Sequence, residues 1–92
     1  MYNILICDDE KDIVNALKIY LSNPEYCFFT AENGQQAVKA VSENEIHLVL
    51  MDVMMPMLDG ISATVEIRSH SNVPIILLTA KNVDEKAEEN QP

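Results

Sequence analysis

Residues 48–56 read LVLMDVMMP, from Leu48 to Pro56. Four consecutive apolar residues, Leu48 to Met51, run straight into one carboxylate, Asp52. A strand with one wet face would alternate, so an unbroken apolar run marks a strand buried on both faces, as in the middle of a parallel sheet. Asp52 then stands where that strand ends. In open α/β sheets ligands bind beyond the carboxyl ends of the strands, so an acid there is placed to meet something. Taken alone, Asp52 is as readily a residue that caps or turns the loop. A second acidic cluster, Asp8-Asp9-Glu10, ends another apolar run, Asn3 to Cys7 (NILIC), and tips the reading towards binding.

Downstream of Asp52 the loop Met54-Met55-Pro56-Met57-Leu58 is apolar, although loops normally face water. Asp59-Gly60 opens a helix over Ile61 to Ser69, with Ile61, Val65 and Arg68 spaced along it. Val73 to Thr79 (VPIILLT) is a fourth strand. Upstream, Lys11 to Leu21 places Ile13, Val14, Leu17, Tyr20 and Leu21 on one helical face, with Asp12 in the first turn where the helix dipole favours it. Asn23-Pro24 stops that helix. Cys27 to Ala31 (CFFTA) is the second strand, Asn33-Gly34 a turn, and Gln35 to Ser42 a helix whose inner stripe is Ala37, Val38, Ala40 and Val41. The order β-α-β-α-β-α-β implies a doubly wound α/β fold, a parallel sheet with right-handed crossovers and helices on both faces.

A chain of 92 residues makes one domain. The text divides into a domain over 1–81 and a polar tail over 82–92, in which only Val83 and Ala87 are apolar; it is either disordered or the start of a fourth helix from Asp84. The net charge of −9 opposes direct contact with nucleic acid or anionic lipid and suits cations or basic partners. No run approaches the ~18–20 apolar residues a membrane span needs, and the first ten residues lack a signal-peptide pattern, which points to a cytoplasmic protein. Cys7 and Cys27 lie near opposite ends of neighbouring strands, too far apart for a disulfide, and read as small buried hydrophobes. His47 and His70 have no metal-ligating neighbours, and neither is assigned a function.

Parallel strands all point one way, so the ends of the first, third and fourth bring Asp8, Asp9, Asp52 and Thr79 to one edge. Two unit charges about 4 Å apart repel by ~4 kcal/mol at an effective dielectric of ~20. A divalent cation relieves that repulsion, and hard oxygen ligands with no His or Cys cluster select magnesium or manganese over zinc.

These pieces together resemble the receiver domain of two-component response regulators, which has a flavodoxin-like fold. The matching motifs are the paired acid after the first strand (CDDE), the acid ending the third strand with its Met-Pro loop and Asp-Gly (MDVMMPMLDG), and Thr-Ala ending the fourth (LLTA). The resemblance implies strand order 2-1-3-4. It implies that Asp52 is the phosphoacceptor for a sensor histidine kinase, and that Asp9 and Asp52 bind Mg2+ (or Mn2+) directly, with Asp8 acting through water and the Met54 carbonyl completing the set. Thr79 would turn its hydroxyl to a phosphoryl oxygen. The backbone N–H groups of Met54 and Ala80 would hold the others. Met54, Met55 and Met57 either screen the acyl phosphate or pack over the core. Lys81 reads as a solvated surface charge.

The sequence departs from the family after the fourth strand. The family's fifth strand and helix, with the lysine that pairs with the phosphoryl group and an aromatic switch residue, have no counterpart in these 92 residues. A charge-assisted hydrogen bond is worth ~1.5–3 kcal/mol, so lacking the lysine weakens phosphoryl binding by roughly one to two powers of ten. A fold ending at the fourth strand exposes Ile75 to Leu78 as an apolar edge and predicts self-association. The expectation is therefore a phosphoacceptor switch rather than a metabolic enzyme, acting on an output domain, DNA-binding in many relatives, that lies outside the chain. Two alternatives stand: an inert truncated fragment that only binds or self-associates, and an Asp-nucleophile phosphatase. The phosphatase is disfavoured because the second Asp such enzymes carry two residues on is Met54 here. A flavin or nucleotide fold is disfavoured because the two glycines, Gly34 and Gly60, do not follow the first strand.

Overall fold

The computed structural model of the protein describes residues 1–78; Thr79, Ala80, Lys81 and the 82–92 tail lie outside the described residues. The elements are β1 (Tyr2–Cys7), α1 (Lys11–Tyr20), β2 (Tyr26–Ala31), α2 (Gly34–Glu43), β3 (Leu48–Asp52), α3 (Gly60–Arg68) and β4 (Ile75–Leu78). The strands pair in parallel in the order β2-β1-β3-β4. The alternation of elements implied the doubly wound sheet and the family resemblance its 2-1-3-4 order, and the structure has both.

The two interior strands carry the unbroken apolar runs. Ile4 to Cys7 of β1 and Val49 to Asp52 of β3 are all buried, whereas the edge strand β2 is only half-buried along most of its length. Alternate residues face opposite sides of the sheet. Leu5, Cys7, Val49 and Met51 pack against Ala37 of α2 and Ala63 and Ile67 of α3, while Ile4, Ile6 and Leu50 pack against Val14 of α1. In β1–β3 the ladder matches Cys7 with Met51, so the next residues along, Asp8 and Asp52, leave the sheet side by side. Neighbouring strands run ~4.8 Å apart. Register alone therefore brings the two acids together.

One helix residue departs from the sequence expectation, and one helix face is settled only by the structure. Tyr20, assigned to the inner face of α1, is 87% exposed, whereas Leu17 and Leu21 on either side of it pack against the core. On α3 the sequence reading spaced Ile61, Val65 and Arg68 along the helix and left the buried face open. Ile61 and Val65 point outward, 49% and 68% exposed, and the buried stripe is Gly60, Ala63 and Ile67, spaced i, i+3, i+7 where Ile61, Val65 and Arg68 are spaced i, i+4, i+7. Gly60 sets that face. A Cβ on it would lie well inside van der Waals contact distance of the Asp52 carbonyl oxygen, so only glycine lets the first turn of α3 press against the end of β3.

Caps and turns hold the remaining ends. The Asn33 side chain accepts from the Gln36 N–H at 2.8 Å and caps α2, a contact worth ~1 kcal/mol. Asp59 caps α3 the same way, accepting from the Ser62 N–H at 2.8 Å and the Ser62 hydroxyl at 3.1 Å. Those bonds, the backbone one foremost, hold its carboxyl below the usual range. Arg68, left without a role by the sequence reading, donates to the Ser71 and Val73 carbonyls and ties α3 to the segment leading into β4. The β4 ladder begins at Ile75 rather than Val73, and Val73 packs into the core as the lead-in.

Both cysteines are free, and the register explains why: Cys7 lies opposite Ala31, and Cys27 opposite Asn3. Burial, with the Asp8 charge adding to it, pushes the Cys7 thiol up to about 12. Only the thiolate is nucleophilic. Cys7 should therefore resist an alkylating reagent at pH 8 in the native protein while the half-buried Cys27 reacts, as peptide mass analysis before and after denaturation will show. Labelling of Cys7 at the rate of Cys27 would contradict this packing.

Candidate functional site

The acidic cluster forms where β1 and β3 end and α1 begins. Asp8 follows β1, Asp52 is the last residue of β3, and Asp9 lies in the turn into α1. Asp8 and Asp52 are each 3% exposed, and Asp9 is open to solvent. One carboxylate oxygen from each of the three lies within 4.8 Å of the others.

Backbone groups orient the two buried carboxylates. Asp8 Oδ1 accepts from the Glu10 N–H at 2.9 Å, in the turn that opens α1, and its own N–H donates to the Ala31 carbonyl at 3.0 Å. Asp52 Oδ1 accepts from the Met54 N–H at 3.1 Å. The positive end of the α1 dipole also faces this edge and favours negative charge there. Even so, each pair of full charges at 4.8 Å repels by about 3 kcal/mol at an effective dielectric of ~20. The donor set is three hard carboxylates with no soft ligand among them. It fits a magnesium-type cation by charge and chemistry.

The loop after β3 divides its methionines. Met55 is buried in the core under α2 and α3, whereas Met54 and Met57 are 62% and 74% exposed. Met57 adopts a left-handed backbone with φ of 66°, unusual for a residue with a side chain. Its neighbour Leu58 accepts from the Gly34 N–H at 2.9 Å, which fastens the loop to the start of α2. A side chain on Gly34 would collide with that same carbonyl.

His47, by contrast, sits at the other end of the sheet. Its Nδ1 accepts from the Asn3 N–H at 2.8 Å and its ring meets Tyr2 edge to face, a structural role. Thr79, expected at the site, lies outside the described residues, so the cluster described consists of Asp8, Asp9 and Asp52 with the Met54 backbone beside it. The Gly34 and Gly60 approaches escaped the sequence reading. Their one visible signal was that the chain has only these two glycines, each at the start of a helix.

A family model described as the response regulator receiver domain matches residues 4–91. The chain belongs to that family. The receiver domain is 44% identical over 78 residues to the transcriptional regulatory protein SrrA of Staphylococcus aureus, a match covering 85% of this chain and 32% of that protein. The chain thus spans about a third of the length of the curated relatives it matches. Among solved structures it is similar to a chain in the complex of histidine kinase ThkA with response regulator protein TrrA, at 31% identity and TM-score 0.78, covering 97% of this chain and 97% of the matched one. It is also similar to the receiver domain of a sensor histidine kinase from Pseudomonas aeruginosa PAO1 with magnesium coordinated in the active site cleft. That match has 34% identity and TM-score 0.74, and covers 95% of this chain and 74% of that one. The flavodoxin-like fold read from the sequence is thereby established. No helix among the described residues is long and apolar enough to cross a membrane.

Proposed function

We propose that this receiver domain takes a phosphoryl group on Asp52 from the phosphohistidine of a sensor histidine kinase. The observation that carries the reading is the convergence of Asp8, Asp9 and Asp52 within 4.8 Å at the carboxyl ends of β1 and β3. In the transfer, an Asp52 carboxylate oxygen forms the new O–P bond while the N–P bond of the donor breaks and its imidazole leaves. The Met54 N–H holds the carboxylate in one orientation before attack. Asp9 and Asp52, with the Met54 carbonyl and with Asp8 acting through water, would hold Mg2+, or Mn2+, whose ligand preferences are similar. When bound, the cation neutralises charge on the phosphoryl oxygens. Thr79 donating to one of those oxygens completes the proposed set.

The product is an acyl phosphate whose presence biases two conformations, and its hydrolysis is slow and self-limited rather than a turnover reaction. SrrA is named as a transcriptional regulator, which supports a DNA-binding output domain as the element the receiver governs in a longer cytoplasmic protein. Ile76 and Leu77 of β4 are 52% and 40% exposed, and β4 has no second neighbour among the described strands. That apolar edge supports self-association of this chain.

The test is incubation with a small acyl phosphate and magnesium, read by intact mass, with a parallel sample in chelator. The expected result is one phosphoryl adduct per chain, absent without the metal. Steady release of phosphate with no adduct would make the protein a phosphatase. Neither adduct nor release would leave it a binding module only.

A further inference from the structure

We infer that Met54 and Met57 form an oxidation site for hydroperoxides, through which peroxide alters the loop beside Asp52. Four of the five methionines fall between Met51 and Met57, and the fold sorts them sharply. Met51 and Met55 are 0% and 8% exposed, while Met54 and Met57 are 62% and 74% exposed. Thioether oxidation follows exposure, so two sulfurs on this loop are open to attack and two are shielded.

The exposed sulfurs are tied to structure that would respond. Met57 Sδ accepts from the Asn33 side-chain N–H at 3.5 Å, and the same Asn33 caps α2 through the Gln36 N–H. With the Gly34 bond to Leu58, this sulfur is part of the fastening between the loop and α2. Met54 is two residues from Asp52, and its N–H is the donor that orients the carboxylate. In the reaction the O–O bond of the hydroperoxide breaks and an S–O bond forms. The sulfur loses two electrons, and the peroxide is reduced to water or, from an alkyl hydroperoxide, to an alcohol. A weakly accepting thioether becomes a strongly accepting, polar sulfoxide. At Met57 the new oxygen competes for the Asn33 amide. At Met54 it draws water towards the site. Reductases of methionine sulfoxide reverse both changes.

The last consequence rests on Asp52 being the phosphoacceptor; the first two do not. The intact chain is treated with hydrogen peroxide and sampled by peptide mass, with Met1, 78% exposed at the far end of β1, as the reference. Met54 and Met57 should oxidise at about the Met1 rate and about tenfold faster than Met51 and Met55. The Asn33 side-chain and Gly34 backbone amide resonances should move on oxidation. Equal rates at all four methionines, or unmoved resonances, would overturn the inference. The phosphorylated form of the oxidised protein should then decay about two- to tenfold faster than that of the reduced protein, the span of one hydrogen bond gained or lost. In the Met54→Leu/Met57→Leu double variant, peroxide should leave the decay as it was before treatment. An unchanged lifetime in the oxidised wild type also overturns the inference. If the reduced wild type takes no phosphoryl group at all, it is the Asp52 reading that fails, while the peptide masses and resonances still decide this one.

Discussion

Asp52→Asn should abolish the phosphoryl adduct and, in the absence of metal, make the protein more stable. The amide has no oxygen nucleophile comparable to the carboxylate, so no adduct is expected by intact mass at any time point. The stability gain follows from the crowding of charge. The substitution removes Asp52 from repulsion with both Asp8 and Asp9, whose carboxylate oxygens lie within 4.8 Å. Full charges at that spacing repel by about 3 kcal/mol at an effective dielectric of ~20, and solvent around the exposed Asp9 reduces the gain to about 1–3 kcal/mol overall. Urea unfolding of wild type and variant with and without magnesium checks this. Added cation should raise the wild-type midpoint much more than that of the variant, because binding to the folded state alone stabilises it. A variant that is less stable than wild type in chelator would mean that the three acids are not crowded as described.

Gly60→Ala should be one of the two most damaging glycine-to-alanine changes in the described fold, with Gly34→Ala, whose Cβ would meet the Leu58 backbone as closely. At Gly60 the new Cβ would lie under 3 Å from the Asp52 carbonyl carbon and the Val53 Cα, both backbone atoms with no side-chain freedom to yield. Relief requires α3 to move away from the end of β3, which loosens Ala63 and Ile67 from the core. Overpacking of this kind costs ~1–3 kcal/mol, and the helix preference of alanine over glycine returns at most ~1 kcal/mol of it. A net loss of about 1–2 kcal/mol lowers the melting midpoint of a domain this size by roughly 5–15 °C. Because the strain falls on Asp52 itself, phosphorylation should also slow at temperatures where the variant is fully folded. Wild-type melting and wild-type phosphorylation in this variant would refute the close approach of the two backbones.

The α3 helix shows where reading the sequence stops being enough. Its apolar period was plain, but Ile61, Val65 and Ala63, Ile67 both satisfy it, and hydrophobicity favours the larger outward pair. What decides between them is the contact of Gly60 with the Asp52 carbonyl, an interaction between residues that no local pattern connects. Tyr20 failed for a related reason: the buried stripe runs through Leu17 and Leu21, and periodicity alone does not fix which flanking residue falls outside it. The split among the methionines was equally hidden, since Met54, Met55 and Met57 look alike in the text and differ only in which side of the loop meets α2.

The sheet and its acidic edge, in contrast, were legible from the chain alone. Unbroken apolar runs ending in acids can be buried on both faces only as interior parallel strands, and parallel strands must present their ends on one side. Patterns of period and burial thus determined the element order, the sheet and the gathering of Asp8, Asp9 and Asp52. The phase of α3, the fastening of the Met57 loop to Asn33 and the need for glycine at positions 34 and 60 came from the tertiary structure, because each depends on how closely two backbones distant in sequence approach.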